Sequence, residues 1–474
     1  TVDPDGNKRC TGDTVVSEII VEPALTVNLT PEFDTICDSA QVNITITSDK
    51  ITSLPLRFEY EIVPDNPAFI NIGYDTATYG TFELEVGETI TDSIFNLSDT
   101  AQLVRFIVTP YVVGGSGTGC PGVPSITEVW VNPTARLFVE ALPDTILCDS
   151  NSVTFQIDSL LKGTTGHWVY DVTATPGNPA VVSGHTTTTD LDDGFTDQLI
   201  NTSTEIQYVD YYFHPRINNP KSGIAECDNG SAWDTTIRVW INPSPRIAVV
   251  TNPDTVLCDS NSITFEIDSL TSGVIGTWVY DVSAVASDES VVEGHRTQSD
   301  LSTDFTDQLI NTSSEIQYVD YTFHPRINNP RTGLSECNHG SIYDTTIRIY
   351  INPTPNIDVA IAPDTIVCDS AFISFTIDSL TNGVIGDWVY DVTAIPSNAG
   401  LVSGYTNDVD LKGDFADQLV NTSDDYQWVD YRFHPRIKDP RTGLSYCDHG
   451  DVNDFTIRIF IEPYPKVDAD PLFD

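Results

Sequence analysis

One string limits what this chain can fold into. P-D-T-[IV]-[LV]-C-D-S recurs with its cysteine at Cys148, Cys258 and Cys368, and the related F-D-T-I-C-D-S places Cys37 one further period upstream. The period is about 110 residues, the size of one small domain, so the chain is a series of stacked units and not a large single fold. A second cysteine keeps the same beat: Cys227, Cys337 and Cys447 each follow the first at one constant offset, and Cys120 follows Cys37 at a slightly longer one. The ninth cysteine, Cys10, is followed by T-G-D-T-V-V-S-E-I-I-V-E-P, which matches repeat ends such as D-T-T-I-R-I-Y-I-N-P at 344–353, so its partner is expected before residue 1. The chain therefore reads as the C-terminal end of a preceding repeat (1–23), four repeats (24–133, 134–243, 244–353 and 354–463) and the start of a following one (464–474).

Within a repeat the hydrophobic period is two. Ser262-Ile-Thr-Phe-Glu-Ile-Asp268, Thr277-Trp-Val-Tyr-Asp-Val282, Ile316-Gln-Tyr-Val-Asp-Tyr-Thr-Phe323 and Thr345-Thr-Ile-Arg-Ile-Tyr-Ile351 alternate apolar with polar residues and are rich in β-branched and aromatic side chains. Such runs are strands with one buried face. Turn signals such as Thr271-Ser-Gly273 and Asn328-Asn-Pro330 separate them, and no stretch carries a helical stripe. With an entry strand like Asn356-Ile-Asp-Val-Ala360 and weaker runs near Val291 and Phe305–Ile310, roughly seven strands per repeat are expected, which is an all-β, immunoglobulin-like two-sheet sandwich. Repeats join through I-N-P-S-P-R-I (241–247), I-N-P-T-P-N-I (351–357) and V-N-P-T-A-R-L (131–137). Proline fixes φ and extends the residue before it, so the array is expected to be a semi-rigid rod of roughly 150 Å.

Charge removes whole classes of partner. Against 69 Asp and Glu stand 22 Lys and Arg, a formal net charge of −47. Phosphate polyanions and anionic bilayers are repelled by such a surface, so no nucleic-acid partner is expected. No apolar run of about 18 residues is present, so no membrane span is expected, and residues 1–20 lack the charged-then-apolar shape of a signal peptide. Hydrophobic residues at 40% supply enough material for packed cores, so the acidity belongs to a solvated exterior.

Paired cysteines at a repeated spacing read as disulfides in an oxidising compartment. No C-x-x-C is present, and only His339 and His449 lie within four residues of a cysteine, which is too little for zinc. The expected bonds are Cys37–Cys120, Cys148–Cys227, Cys258–Cys337 and Cys368–Cys447, one per repeat. Each would close a loop of about 80 residues and contribute roughly 4–5 kcal/mol by restricting the unfolded chain. The compartment that follows is extracellular or periplasmic.

The end of each repeat, Tyr321-Thr-Phe-His-Pro325 through Cys337 to Asn352-Pro-Thr-Pro355, or Val108-Thr-Pro110 through Cys120 to Asn132-Pro133, resembles the PKD-like repeats of large surface proteins in Bacteroidota. The resemblance covers every repeat. It implies a β-sandwich array exported by the type IX secretion system and displayed on the cell surface, as in gliding-motility and other giant adhesins. The P-D-T-x-x-C-D-S opening and its cysteine depart from that family pattern, and the first repeat lacks the H-P-R triplet. The resemblance also implies O-glycosylation where Asp-Ser or Asp-Thr precedes a small or aliphatic residue, at Thr35, Thr76, Ser93, Ser159, Ser269 and Ser379. The sequons at Asn201, Asn311 and Asn421 would matter only in a eukaryotic secretory route.

Candidate chemistry is sparse. His214, His324 and His434 precede Pro-Arg in a strand, but no nucleophile or metal partner recurs at a fixed offset, so a structural role with Arg216, Arg326 and Arg436 meeting carboxylates is expected. The acidic loops are the candidate calcium sites: Asp190, Asp192, Asp193 and Asp197; Asp300, Asp304 and Asp307; Asp410, Asp414 and Asp417. Calcium takes six to eight oxygens from flexible loops, but the D-x-D-x-D-G-x5-E pattern is absent, and aspartates in turns cap backbone groups unaided. Calcium is the one ion for which residues are available; no other cofactor is indicated. Trp168, Trp278 and Trp388 in W-V-Y-D read as sandwich core anchors, and Gly114-Gly-Ser-Gly-Thr-Gly119 opens no helix and reads as a hairpin tip. No catalytic motif is present.

The expected function is non-enzymatic: a repeat stalk of an adhesin or filament, whose ligand, a surface or glycan, is met by a tip domain outside this chain. Its immediate partners are further repeats of the same chain. A sheath or fibre built by homotypic lateral contacts, and accessory glycan-binding modules of a larger enzyme, are the alternatives.

Overall fold

The computed structural model describes residues 4–7, 13–19, 21–73, 84–113, 121–218, 226–332, 334–442 and 444–467. Four β-sandwiches follow one another, and no α-helix occurs among the described residues. Repeat 2 shows the pattern. Its strands are β1 (Leu137–Leu142), β2 (Ile146–Cys148), β3 (Ser152–Ser159), β4 (His167–Pro176), β5 (Val182–Ser183), β6 (Thr188–Leu191), β7 (Phe195–Gln198), β8 (Ile200–Asn201), β9 (Gln207–Asn218), β10 (Glu226–Cys227) and β11 (Thr235–Asn242). One sheet runs β1-β3-β7; the other runs β2-β11-β9-β4-β6, with β10 beside β9, and β5 pairs β8 as a small ribbon. The count exceeds the seven expected because short strands at the rims, such as β5, β8 and β10, carry too few residues to show a period. Repeat 3 reproduces this arrangement; in repeat 4 the equivalents of β7 and β8 fuse into one strand, Phe415–Asn421, so the ribbon strand joins the first sheet, and repeat 1 keeps the two principal sheets and the ribbon.

Alternation on β9 explains the layering. Val209, Tyr211, Phe213 and Ile217 are fully buried, while Asp210, Tyr212 and His214 face outward or sideways. Phe155 from the opposing sheet packs 4.6 Å from Tyr211 and 5.3 Å from Phe213 between ring centroids. Each buried ring contributes about 1.5–3 kcal/mol in transfer terms. These tyrosines and phenylalanines anchor the core, and here the expectation for tryptophan is corrected. Trp168, Trp278 and Trp388 are half-buried at the rim of the core, and Trp278 also packs in the cluster around Cys148 and Cys337.

The disulfide pairing within repeats is overturned. The bonds are Cys37–Cys227, Cys148–Cys337 and Cys258–Cys447, with Cα atoms 5.3, 5.4 and 5.4 Å apart. Each joins the opening cysteine of one repeat to the closing cysteine of the next. Cys368 is a free, exposed thiol, and Cys10 and Cys120 lie outside the described residues. The strand register gives the reason. Cys148 stands beside Asn242, next to the row where Ile241 faces Gln207 at the start of β9, whereas Cys227 faces Ile217 at its far end. The length of β9 between those rows puts the two cysteines about 34 Å apart, at opposite ends of one sandwich, far beyond the roughly 4–7 Å a disulfide spans.

Candidate functional site

The C-D-S turn builds the near half of each junction. Ser150, Ser260 and Ser370 adopt positive φ (64°, 62° and 64°), which reverses the chain after the cysteine. Asp149, between cysteine and serine, accepts a hydrogen bond from the Asn201 backbone N–H at 2.7 Å and another from Ser244 Oγ, in the linker to the next repeat, at 2.6 Å. Asp259 does the same with Asn311 and Thr354, and Asp38 with Asn96 and Thr134. The linker asparagine reaches forward. Asn242 Nδ2 donates to the Ile275 carbonyl at 3.0 Å and its Oδ1 accepts from the Ile275 N–H at 2.8 Å. Asn132 pairs with Thr165 and Asn352 with Ile385 in the same two-way geometry. A second strap closes the other side: Ser272 N–H donates to the Thr204 carbonyl and Asn382 N–H to the Ser314 carbonyl, at 2.9 and 2.8 Å. Around each bridge lies a small apolar cluster, for example Cys148, Ile327 and Cys337 with Val274 and Trp278.

In repeats 2, 3 and 4 the H-P-R residues brace the closing end of the sandwich. His214 Nδ1 lies 2.6 Å from Asp234 and Nε2 3.1 Å from Asp228. Burial pulls this imidazole down, but the Asp234 hydrogen bond and the charges of Asp234, Asp228 and Asp171 hold it above its ordinary value, and His434 between Asp454 and Asp448 is likewise raised. Arg216 reaches Asp171 at 2.6 Å and Asp190 at 2.9 Å and also pairs with Glu226; Arg326 repeats the set with Asp281, Asp300 and Glu336. In repeat 4 a tyrosine replaces the glutamate, and the Arg436 guanidinium sits 4.0 Å above the Tyr446 ring.

The acidic-loop carboxylates do not converge. Asp190, Asp300 and Asp410 pair with Arg216, Arg326 and Arg436, and the Asn218 and Arg216 hydrogen bonds hold Asp190 below the usual carboxylate range. Asp192 meets His167 at 3.2 Å. The Asp193 carbonyl accepts at 2.6 Å from the Tyr170 hydroxyl, whose pKa burial pushes up to about 12. Asp304 and Asp414 each accept from a backbone N–H, of Ile267 and Ile377. Asp197, Asp307 and Asp417 are buried and accept from the hydroxyls of Tyr211, Tyr321 and Tyr431. Among the described residues no group of three or more His, Cys, Asp or Glu is placed to hold a metal ion.

The modification candidates separate by burial. Thr35 is fully buried and has no room for a sugar in the folded repeat. Ser159 and Ser269 are exposed, Ser93 and Ser379 half-buried, and Thr76 lies outside the described residues. Asn201, Asn311 and Asn421 are buried, and Asn201 Nδ2 donates to the Glu205 and Ile241 carbonyls at 2.9 and 3.0 Å. The N-T-S string thus brackets strands and does not present an amide. Sequence reasoning missed the junction residues Asp149, Asn242 and their equivalents; their signal was the recurrence of aspartate after each opening cysteine and of asparagine before proline at 132, 242 and 352.

A family model described as PKD-like domain matches residues 34–135, 145–245 and 255–355. No curated protein matches the chain. Among solved structures, an ICAM-5 D1–D4 ectodomain fragment is 9% identical over 92% of this chain and 100% of its own, with a TM-score of 0.27. The N-terminal four Ig domains of Dscam1 isoform 1.9 are 10% identical over 94% and 100%, with a TM-score of 0.22. Escherichia coli alpha-2-macroglobulin is 10% identical over 94% of this chain and 45% of its own, with a TM-score of 0.19, so the chain spans less than half of that protein's length.

Proposed function

We propose that this chain, which belongs to the PKD-like domain family, is the non-enzymatic repeat stalk of a large secreted adhesin or filament that works at a cell surface. The observation that carries the reading is the junction. Three successive junctions repeat the same disulfide, the same aspartate turn and the same two-way asparagine clasp. Near-identical units held at a constant covalent link serve spacing and stiffness better than recognition, since a binding site needs distinctive residues and these repeats share theirs. Structural disulfides persist in oxidising, extracytoplasmic compartments, which supports secretion. The −47 charge keeps such stalks soluble and mutually repelling. Export by the type IX system in Bacteroidota, adhesion through a tip domain and a part in gliding motility belong to the same proposal and rest on the family resemblance.

Immunogold electron microscopy of intact source cells, with antibody raised to one repeat, tests it. Sparse thin fibres labelled along their length are expected. Dense labelling over a continuous tube or layer would replace the stalk with a laterally packed sheath, and absence of label from the cell exterior would remove both.

A further inference from the structure

The staggered disulfides create a covalent path that bypasses most of the polypeptide. From Cys37 the path crosses to Cys227, follows the chain to Cys258 and crosses to Cys447. The intervening segment is not a loop. It runs through Thr235–Asn242, the last strand of repeat 2, and then Ile247–Asn252 and Val256–Cys258, the first strands of repeat 3. Parallel pairing of Val256, Leu257 and Cys258 with Tyr350, Ile351 and Asn352 puts Cys258 at the distal end of repeat 3, as Cys148 is at the distal end of repeat 2. The segment therefore traverses two sandwiches, about 70 Å, with a chain whose full stretch is only about 110 Å.

We infer that the array is a load-bearing tether whose tension is carried by this nearly straight covalent cable and not by the sandwiches. A second cable, entered at Cys148–Cys337 and continuing to Cys368, overlaps the first by one repeat. The polypeptide from Cys37 to Cys447, if released, would extend to about 1,400 Å; with the bridges closed, extension stops at about 120 Å. Force can lengthen the stapled array by less than twofold; in the repeat 2 core Val239 and Ile241 of the last strand lie on the path, while the strands that carry Phe155, Tyr211 and Phe213 lie off it. The inference deepens the stalk reading: a stalk of this kind transmits a pull without stretching.

The test is optical-tweezers extension of the purified, oxidised 474-residue chain through handles at its two termini. The expected contour length after full extension is about 330 Å, rising about fivefold to roughly 1,650 Å when a reductant is added. Replacing one bridge, Cys258→Ala with Cys447→Ala, should raise it about threefold, and circular dichroism checks that this variant still folds. Without reductant, a length of about 540 Å would mean bonds within repeats, and one of about 1,650 Å would mean no bonds on the force path. Either result overturns the inference. The assay uses purified protein, so it stands or falls independently of where the labelled antibody finds the chain on cells.

Discussion

The exposed end of repeat 4 should accept one more repeat, and the effect can be sized from its equivalents. Ile366 is 58% exposed, whereas Ile146 and Val256 at the same position are 7% and 2% exposed beneath their following repeat. Cys368 is exposed and Asp369 half-buried, where Cys148, Cys258, Asp149 and Asp259 are buried. The perturbation is to follow residue 463 with a second copy of residues 354–463. Glu462→Asn is included, since asparagine stands at 132, 242 and 352. The appended closing cysteine then falls 189 residues after Cys368, the separation found in Cys148–Cys337 and Cys258–Cys447. Covering half of an isoleucine removes roughly 80–90 Å² from water, about 2 kcal/mol at roughly 25 cal/mol per Å². A bridge closing a loop of that length contributes about 5 kcal/mol more in the chain-entropy account. Packing alone should raise the melting temperature of the original fourth repeat by about 10 °C. Calorimetry reads the shift, hydrogen exchange over residues 364–370 assigns it to repeat 4, and alkylation with mass mapping follows Cys368. In the original chain Cys368 should alkylate; in the extended chain it should be protected and linked to the new cysteine. Cys368→Ala in the extended chain should keep the packing gain and lose the rest. If Cys368 stays reactive, or the new cysteine pairs elsewhere, the translational logic of the junction is wrong.

Other consequences are smaller in scope. Arg326→Met leaves Asp281, Asp300 and Glu336 without their cation; because the carboxylates are partly exposed, the loss should be about 2–3 kcal/mol in urea unfolding, below the roughly 3–5 kcal/mol of a fully buried pair. Tyr321→Phe removes the hydroxyl that donates to buried Asp307 and should cost about 1.5–3 kcal/mol by the same assay. His214 and His434 are held above their ordinary value in the folded state, so their contribution is complete below about pH 6.5 and fades as pH rises through the raised pKa. The melting temperature should fall on that alkaline side, His214→Asn with His434→Asn should flatten this part of the profile, and imidazole NMR titration should place both midpoints above the ordinary histidine value.

Much of the fold was legible because a half-buried strand writes its burial into alternate residues: the run through Val319, Tyr321 and Phe323 reads as a strand and is one, with all three fully buried. The cysteine partners were not legible, and the reason is symmetry. When every repeat holds one opening and one closing cysteine, pairing within a repeat and pairing to the next repeat leave the same mark in the sequence. Only the position of each cysteine along its sandwich separates them, and that depends on two pairings no periodicity encodes: parallel β2 on β11, and two-residue β10 folded back on Ile217. The partners of the acidic-loop carboxylates were hidden for a related reason. Aspartates spaced for a cation in one dimension are claimed in three by Arg216, His167 and Tyr211, which arrive from other strands. The asparagine clasp was missed as well, although the repeat held its signal. A residue that recurs beside proline at the three internal boundaries, as Asn132, Asn242 and Asn352 do, has no turn of its own to cap once the prolines fix the backbone. Its side-chain amide, with a donor and an acceptor in one plane, is free to clasp a peptide group of the following repeat, and in this array it does so at each of the three linkers.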